Sequence, residues 1–121
     1  MRYILACILM LAPVAVFAGT ATLDWTDNAT NEVGYEIERA PAACSPAPTN
    51  FAKVGEAGVN AKSYVDTVPD GYQYCWRVRA YNYKWVGSTN PADRQFSAYS
   101  NLAGKDFLLP AAAAPTGLTA N

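Results

Sequence analysis

The chain has 121 residues, 51% of them hydrophobic, with a formal net charge of −1 and no histidine. Without histidine the Ser-His-Asp triads, imidazole acid/base chemistry and most zinc sites are excluded. The near-neutral charge argues against nucleic acid or an anionic membrane as a partner.

Met1-Arg2 precedes an apolar run from Tyr3 to Leu11, followed by Pro13-Val14-Ala15-Val16-Phe17-Ala18. One positive residue, a short apolar stretch and small residues at the third and first positions before a cut after Ala18 predict a secretory signal peptide over residues 1–18. The run is shorter than the roughly 20 apolar residues of a membrane span, so no membrane contact beyond the leader is expected. Cys7 still has apolar residues after it and is read as part of the leader. Cleavage leaves 103 residues, which suit one compact domain, with eight basic and ten acidic side chains. The protein is expected in the periplasm, outside the cell or on its surface. Cys44 and Cys75 then meet oxidising conditions and are expected to form a disulfide, against the alternative of two free thiols.

Period-two alternation bounded by turn residues recurs along the mature chain and predicts an all-β domain nearly free of helix. The first strand, Thr20 to Thr26, sets Ala21, Leu23 and Trp25 against Thr22, Asp24 and Thr26. A polar turn over 27–32 follows, because Asp and Asn bond nearby backbone and tolerate left-handed conformations. The second strand, Val33 to Ala40, puts Tyr35 and Ile37 on one face and Glu36 and Glu38 on the other. After a Pro/Ala-rich loop carrying Cys44, shorter strands are predicted at Phe51 to Gly55 and Lys62 to Asp66. The strongest pattern, Tyr72 to Tyr83, places Tyr74, Trp76, Val78 and Ala80 on one face and Cys75, Arg77, Arg79 and Tyr81 on the other. A long connection, Lys84 to Gln95, leads to a last strand at Phe96 to Ala103.

The order Leu23-Asp24-Trp25-Thr26, Gly34-Tyr35-Glu36-Ile37-Glu38-Arg39, Ser63-Tyr64-Val65-Asp66, Tyr74-Cys75-Trp76-Arg77-Val78-Arg79-Ala80-Tyr81-Asn82 and Ser97-Ala98-Tyr99-Ser100-Asn101 resembles a fibronectin type III domain. The resemblance implies an immunoglobulin-like two-sheet sandwich over residues 19–109, strands A, B and E facing C, C′, F and G. It implies Trp25 as the central core aromatic of strand B. It also implies Tyr74 as a corner tyrosine bonded to backbone within Thr67 to Gly71. In that topology the loop bearing Cys44 and the start of strand F lie at one pole, within reach of a bridge. Strands C and F are neighbours, so Arg77 and Arg79 are expected to face Glu36 and Glu38 in a surface charge ladder. The ladder is preferred to a catalytic carboxylate pair. The resemblance is nearly silent on activity; no catalytic residue, metal site or cofactor is expected.

Domains of this family open with strand A, often Pro-x-x-Leu-x-Ala, ahead of the Leu-x-Trp of strand B. Here Gly19 to Thr22 is all that precedes Leu23 after cleavage, while the pattern stands at the other end, as Pro115-Thr116-Gly117-Leu118-Thr119-Ala120. Residues 110–121 are therefore read as an Ala/Pro linker and donor strand, with Pro115, Leu118 and Ala120 as its anchors. Ala21, Leu23 and Trp25 form the acceptor groove. The link from Pro110 to Pro115 reaches only about 20 Å at roughly 3.3 Å per residue, too short to double back along its own domain. Donation to the next copy gives a head-to-tail filament. Three readings compete: a disordered remnant of a longer chain, pairing with another edge of the same domain, or a different cleavage site.

The expected function is that of a secreted structural or adhesive subunit, its partners being other copies or an extracellular protein or carbohydrate. The alternative is a monomeric carbohydrate- or protein-binding module using the F to G loop, where Trp85 and Tyr83 offer a stacking surface or Trp85 folds down to cap the sandwich. Asp24, Asp27, Asn28, Asn31 and Glu32 lack EF-hand spacing and are read as turn residues. Asn28-Ala29-Thr30 fits the glycosylation sequon.

Overall fold

The computed structural model of the protein describes residues 18–121. The predicted leader through Phe17 lies outside the described residues. Within them the chain forms strands β1 (Ala18–Asp24), β2 (Gly34–Ala40), β3 (Ala52–Gly58), β4 (Ser63–Pro69), β5 (Tyr72–Tyr83), β6 (Arg94–Phe96) and β7 (Ala103–Phe107), with one short 3-10 turn at Pro91–Asp93. All pairings are antiparallel: β1 with β4 in one sheet, and β3-β2-β5 in the other. β6 and β7 share the remaining edge of β5 at two heights, opposite Tyr81–Tyr83 and Tyr72–Trp76. The two sheets pack as an immunoglobulin-like sandwich.

The core follows the predicted alternation. Tyr35 and Ile37 of β2 and Tyr74, Trp76, Val78 and Ala80 of β5 meet Ala21 of β1 and Val68 of β4, with Phe107 closing one end. Each aromatic removes on the order of 150–250 Å² from water. The central aromatic is Trp76, 2% exposed, in place of the expected Trp25. β1 ends at Asp24 and leaves Trp25 half-buried at the rim, its ring 5.3 Å from that of Tyr35.

Parity also carries charge inward. Arg39 lies two residues beyond Ile37 and donates to Asp66 of β4 at 2.7 Å, and the same Asp66 oxygen accepts from Trp76 Nε1 at 2.9 Å. Tyr74 donates to the Pro69 carbonyl at 3.0 Å, within the segment expected for its partner. Gly55 sits beneath the Tyr64 ring, in space that a side chain would fill. Cys44 and Cys75 are bonded, with Cα atoms 5.1 Å apart.

The last strand differs from the prediction. The Phe96 to Ala103 segment breaks after Phe96 and pairing resumes at Ala103. Between the two pieces, Ser97 and Ser100 hydroxyls accept from the Ala80 and Val78 amides at 2.9 and 3.0 Å. Side-chain oxygens thus stand in for a strand's carbonyls, and the segment departs from the ladder without orphaning β5.

Strand directions define two ends of the sandwich. The start of β1, the 41–51 connection, the β4–β5 turn and the end of β7 lie at one, which we term the tail end. The 25–33, 59–62 and 84–93 connections lie at the other, the loop end.

Candidate functional site

β1 pairs with β4 through one edge, and among the described residues no strand pairs with its other edge; the Thr20 carbonyl of β1 accepts from Lys105 Nζ at 3.2 Å. Facing that edge across the sandwich is the 97–103 segment, which has left the ladder. Between them runs an open groove made of two adjoining hollows of about 740 and 350 Å³. The larger lies between Leu23 and Trp25 on one side and Trp76, Val78 and Ala103 on the other. The smaller lies nearer the loop end, among Trp25, Ala29, Tyr35, Ala80 and Ala98. Trp25 and Val78 wall both. Trp25 Nε1 is buried without a hydrogen-bond partner among the described residues, an arrangement that typically costs about 1–3 kcal/mol.

Ala21, Leu23 and Trp25 thus lie along one strand edge: Ala21 is fully buried, while Leu23 and Trp25 are half-buried and line the groove. The tail residues named with them lie elsewhere. From Leu108 to Asn121 the chain is in no strand and is exposed throughout, Pro115, Leu118 and Ala120 included, with Leu118 at 97% exposure. The tail does not occupy the groove of its own domain.

No family model matches the chain, and no curated protein matches it either.

The two aromatics expected to serve the F to G loop differ in exposure. Tyr83 is half-buried and accepts from Arg94 Nε at 3.3 Å. Trp85 is 65% exposed at the loop tip beside the fully exposed Val86, so it does not cap the sandwich.

Asp27 and Glu32 of the 24–32 segment have structural partners. Asp27 accepts from the Ala29 amide and, at short range, from the Tyr35 hydroxyl, while Glu32 accepts from the Asn60 amide at 3.0 Å. These bonds fix the loop-end turns.

Glu36 and Glu38 do face Arg79 and Arg77, at 3.2 and 2.7 Å, but the expected surface ladder is buried. Both glutamates are less than one-tenth exposed, and Arg94 adds a 2.7 Å contact to Glu36. Rings and guanidinium groups cover them in alternation: Phe51, Arg77, Tyr99, Arg79, Phe96, with separations from 3.6 to 4.8 Å. Phe96 and Tyr99 are three residues apart, as are Ser97 and Ser100, so one segment turns its rings to the arginines and its hydroxyls to β5. That spacing is not the alternation of a strand, and residues 97–102 are in none. No local period in the sequence marks this layer.

The packing has an alkaline signature. Burial pushes the Tyr35, Tyr74, Tyr81 and Tyr99 phenols up, assisted at Tyr35 by Asp27 and at Tyr99 by Glu38. A phenol ordinarily ionises near pH 10. With folded values above that, their contribution to stability is complete below about pH 10 and declines as pH rises further, because the unfolded chain loses protons first. Phenolate absorbance of the folded protein at about pH 11 should therefore fall well short of that in urea, and a full signal before unfolding would contradict this packing.

Proposed function

We propose that this protein is an exported, non-catalytic structural subunit of fibronectin type III type that joins other copies head to tail through its C-terminal segment. The observation that carries the reading is the pairing of a β1 edge with no strand beside it, above a groove walled by Leu23, Trp25, Trp76 and Val78 and rimmed by Asp24, Arg77 and Asn101, with an exposed tail that leaves from the far end of the same domain. Residues 108–121 carry no charged side chain, which suits them to a groove walled by Leu23, Trp25, Trp76 and Val78. An unpaired edge presents a row of backbone donors and acceptors ready to take another strand.

Strand direction supports another copy as the acceptor: β7 ends at the tail end, whereas a strand antiparallel to β1 enters the groove from the loop end. Export is supported by the leader-like first 18 residues and by the Cys44–Cys75 bridge, which suits an oxidising compartment.

The test is the solution mass of the protein with and without residues 111–121. The full chain is expected to form concentration-dependent oligomers, and the shortened chain and Leu118→Asp to remain folded monomers. A full chain that stays monomeric at millimolar concentration overturns the proposal. The exposure of Trp85 favours a second reading, in which the 84–93 loop binds a carbohydrate or protein ligand. Trp85→Ala is expected to leave oligomers intact, so the two readings separate in one experiment.

A further inference from the structure

Resting on strand donation, we infer that the groove reads the tail at two points and in one polarity. Pro115 enters the hollow near the loop end, Leu118 fills the larger hollow beside Leu23, and Gly117 forms a bulge that keeps both on the groove side.

The order of the hollows sets the polarity. β1 runs from the tail end to the loop end, and its Leu23–Trp25 segment walls the larger hollow while 25–29 walls the smaller. A neighbour's tail arriving at the loop end meets the smaller hollow first. It then runs antiparallel to β1, so Pro115 precedes Leu118 in space as in sequence. Three extended residues cover about 10 Å, a fitting step between hollows that share Trp25 and Val78 as walls.

Side-chain parity would otherwise forbid this. In a regular strand, residues three apart point to opposite faces, so Pro115 and Leu118 could not both enter the groove. One inserted residue restores the match, and a bulge of this kind commonly places glycine in the left-handed region. Gly117 holds φ at 71° in the unpaired tail, a conformation that a β-branched residue resists. Pro115 lacks an amide hydrogen, which suits the first residue of an added strand, where no ladder bond is yet required. Beyond Leu118, parity returns Ala120 to the groove side, toward the buried Ala21.

The experiment uses a chain shortened at Pro110 and a peptide of residues 111–121, followed by the fluorescence of Trp25 and by calorimetry. Every core residue of the sandwich precedes Leu108, so the shortened chain retains its fold. The wild-type peptide is expected to bind. Leu118→Asp should weaken it by about 100-fold or more, and Pro115→Ser and Gly117→Val by roughly 10-fold each. For polarity, a Thr119→Cys peptide should cross-link to Thr22→Cys in the groove strand and not to Asp24→Cys. If the wild-type peptide fails to bind, donation itself is wrong. If it binds but tolerates Pro115→Ser and Gly117→Val, or cross-links to Asp24→Cys, the two-point register is wrong and donation stands.

Discussion

Replacing Trp76 by alanine is expected to lower the unfolding free energy by about 3–5 kcal/mol, the range for emptying a large aromatic site in a packed core. Trp76 is 2% exposed, lies with its ring 5.8 Å from that of Tyr74 and donates its only side-chain N–H to Asp66. Removal leaves a void and takes from a buried carboxylate one of its two donors, Arg39 remaining as the other. Domains of this size hold only about 5–15 kcal/mol in total, so the variant should unfold at far lower urea concentration. Trp76→Phe separates the two losses, since it keeps most of the ring and drops the N–H; about 1–2 kcal/mol is expected from the lost hydrogen bond to the carboxylate. Urea midpoints at constant slope provide the measurement. A cost below about 1 kcal/mol for Trp76→Ala would mean that the Trp76–Asp66–Arg39 cluster does not hold the two sheets together.

Opening the disulfide is the second large effect. The bridge closes a 31-residue separation, and the chain-entropy account assigns such a loop about 3–4 kcal/mol, supplied by restricting the unfolded chain. The native site is prepared for it. Cys75 is fully buried, and Gly104, paired with it on β7, leaves room for the Cys44 sulfur, where a Cβ would come within 3.2 Å. Cys44→Ser with Cys75→Ser should therefore lower the urea midpoint with the folded spectrum retained at low denaturant. Reduction of the native protein should match it. An unchanged midpoint in both would show that the unfolded chain is already held compact across this loop.

Much of the fold was legible because the decisive signals are local. β2 and β5 alternate over enough residues that their faces are unambiguous, and the bounds of β5 follow from the pattern alone. The cysteine pair followed from cysteine count and the expected compartment, and the Tyr74 partner segment from the fibronectin type III resemblance. The burial of Glu36 and Glu38 was not legible in the same way. Alternating charges on a strand ordinarily mean a solvated face, and their cover comes from Phe96 and Tyr99, some 60 positions downstream, through contacts that no local period reveals. The split of the last strand belongs to the same event, since each serine that replaces its carbonyls directly follows one of those rings. Arg39 is the opposite case: its parity with Tyr35 and Ile37 points it inward from the sequence alone. The groove residues Ala21, Leu23 and Trp25 were read as a set from the absence of a preceding strand, whereas the second wall, Val78 to Ala103, arises only from the sheet-to-sheet approach.

The end of β7 gives the module a mechanical character. A pull on the tail enters the sandwich at Phe107 and loads the hydrogen bonds between β7 and β5 side by side, in shear, so they resist together instead of opening one after another. At Cys75 the load meets a covalent bond to Cys44, which carries it past the ladder toward β2, a central strand buried on both faces. Traction applied at the most exposed segment is thereby delivered to the most deeply packed one.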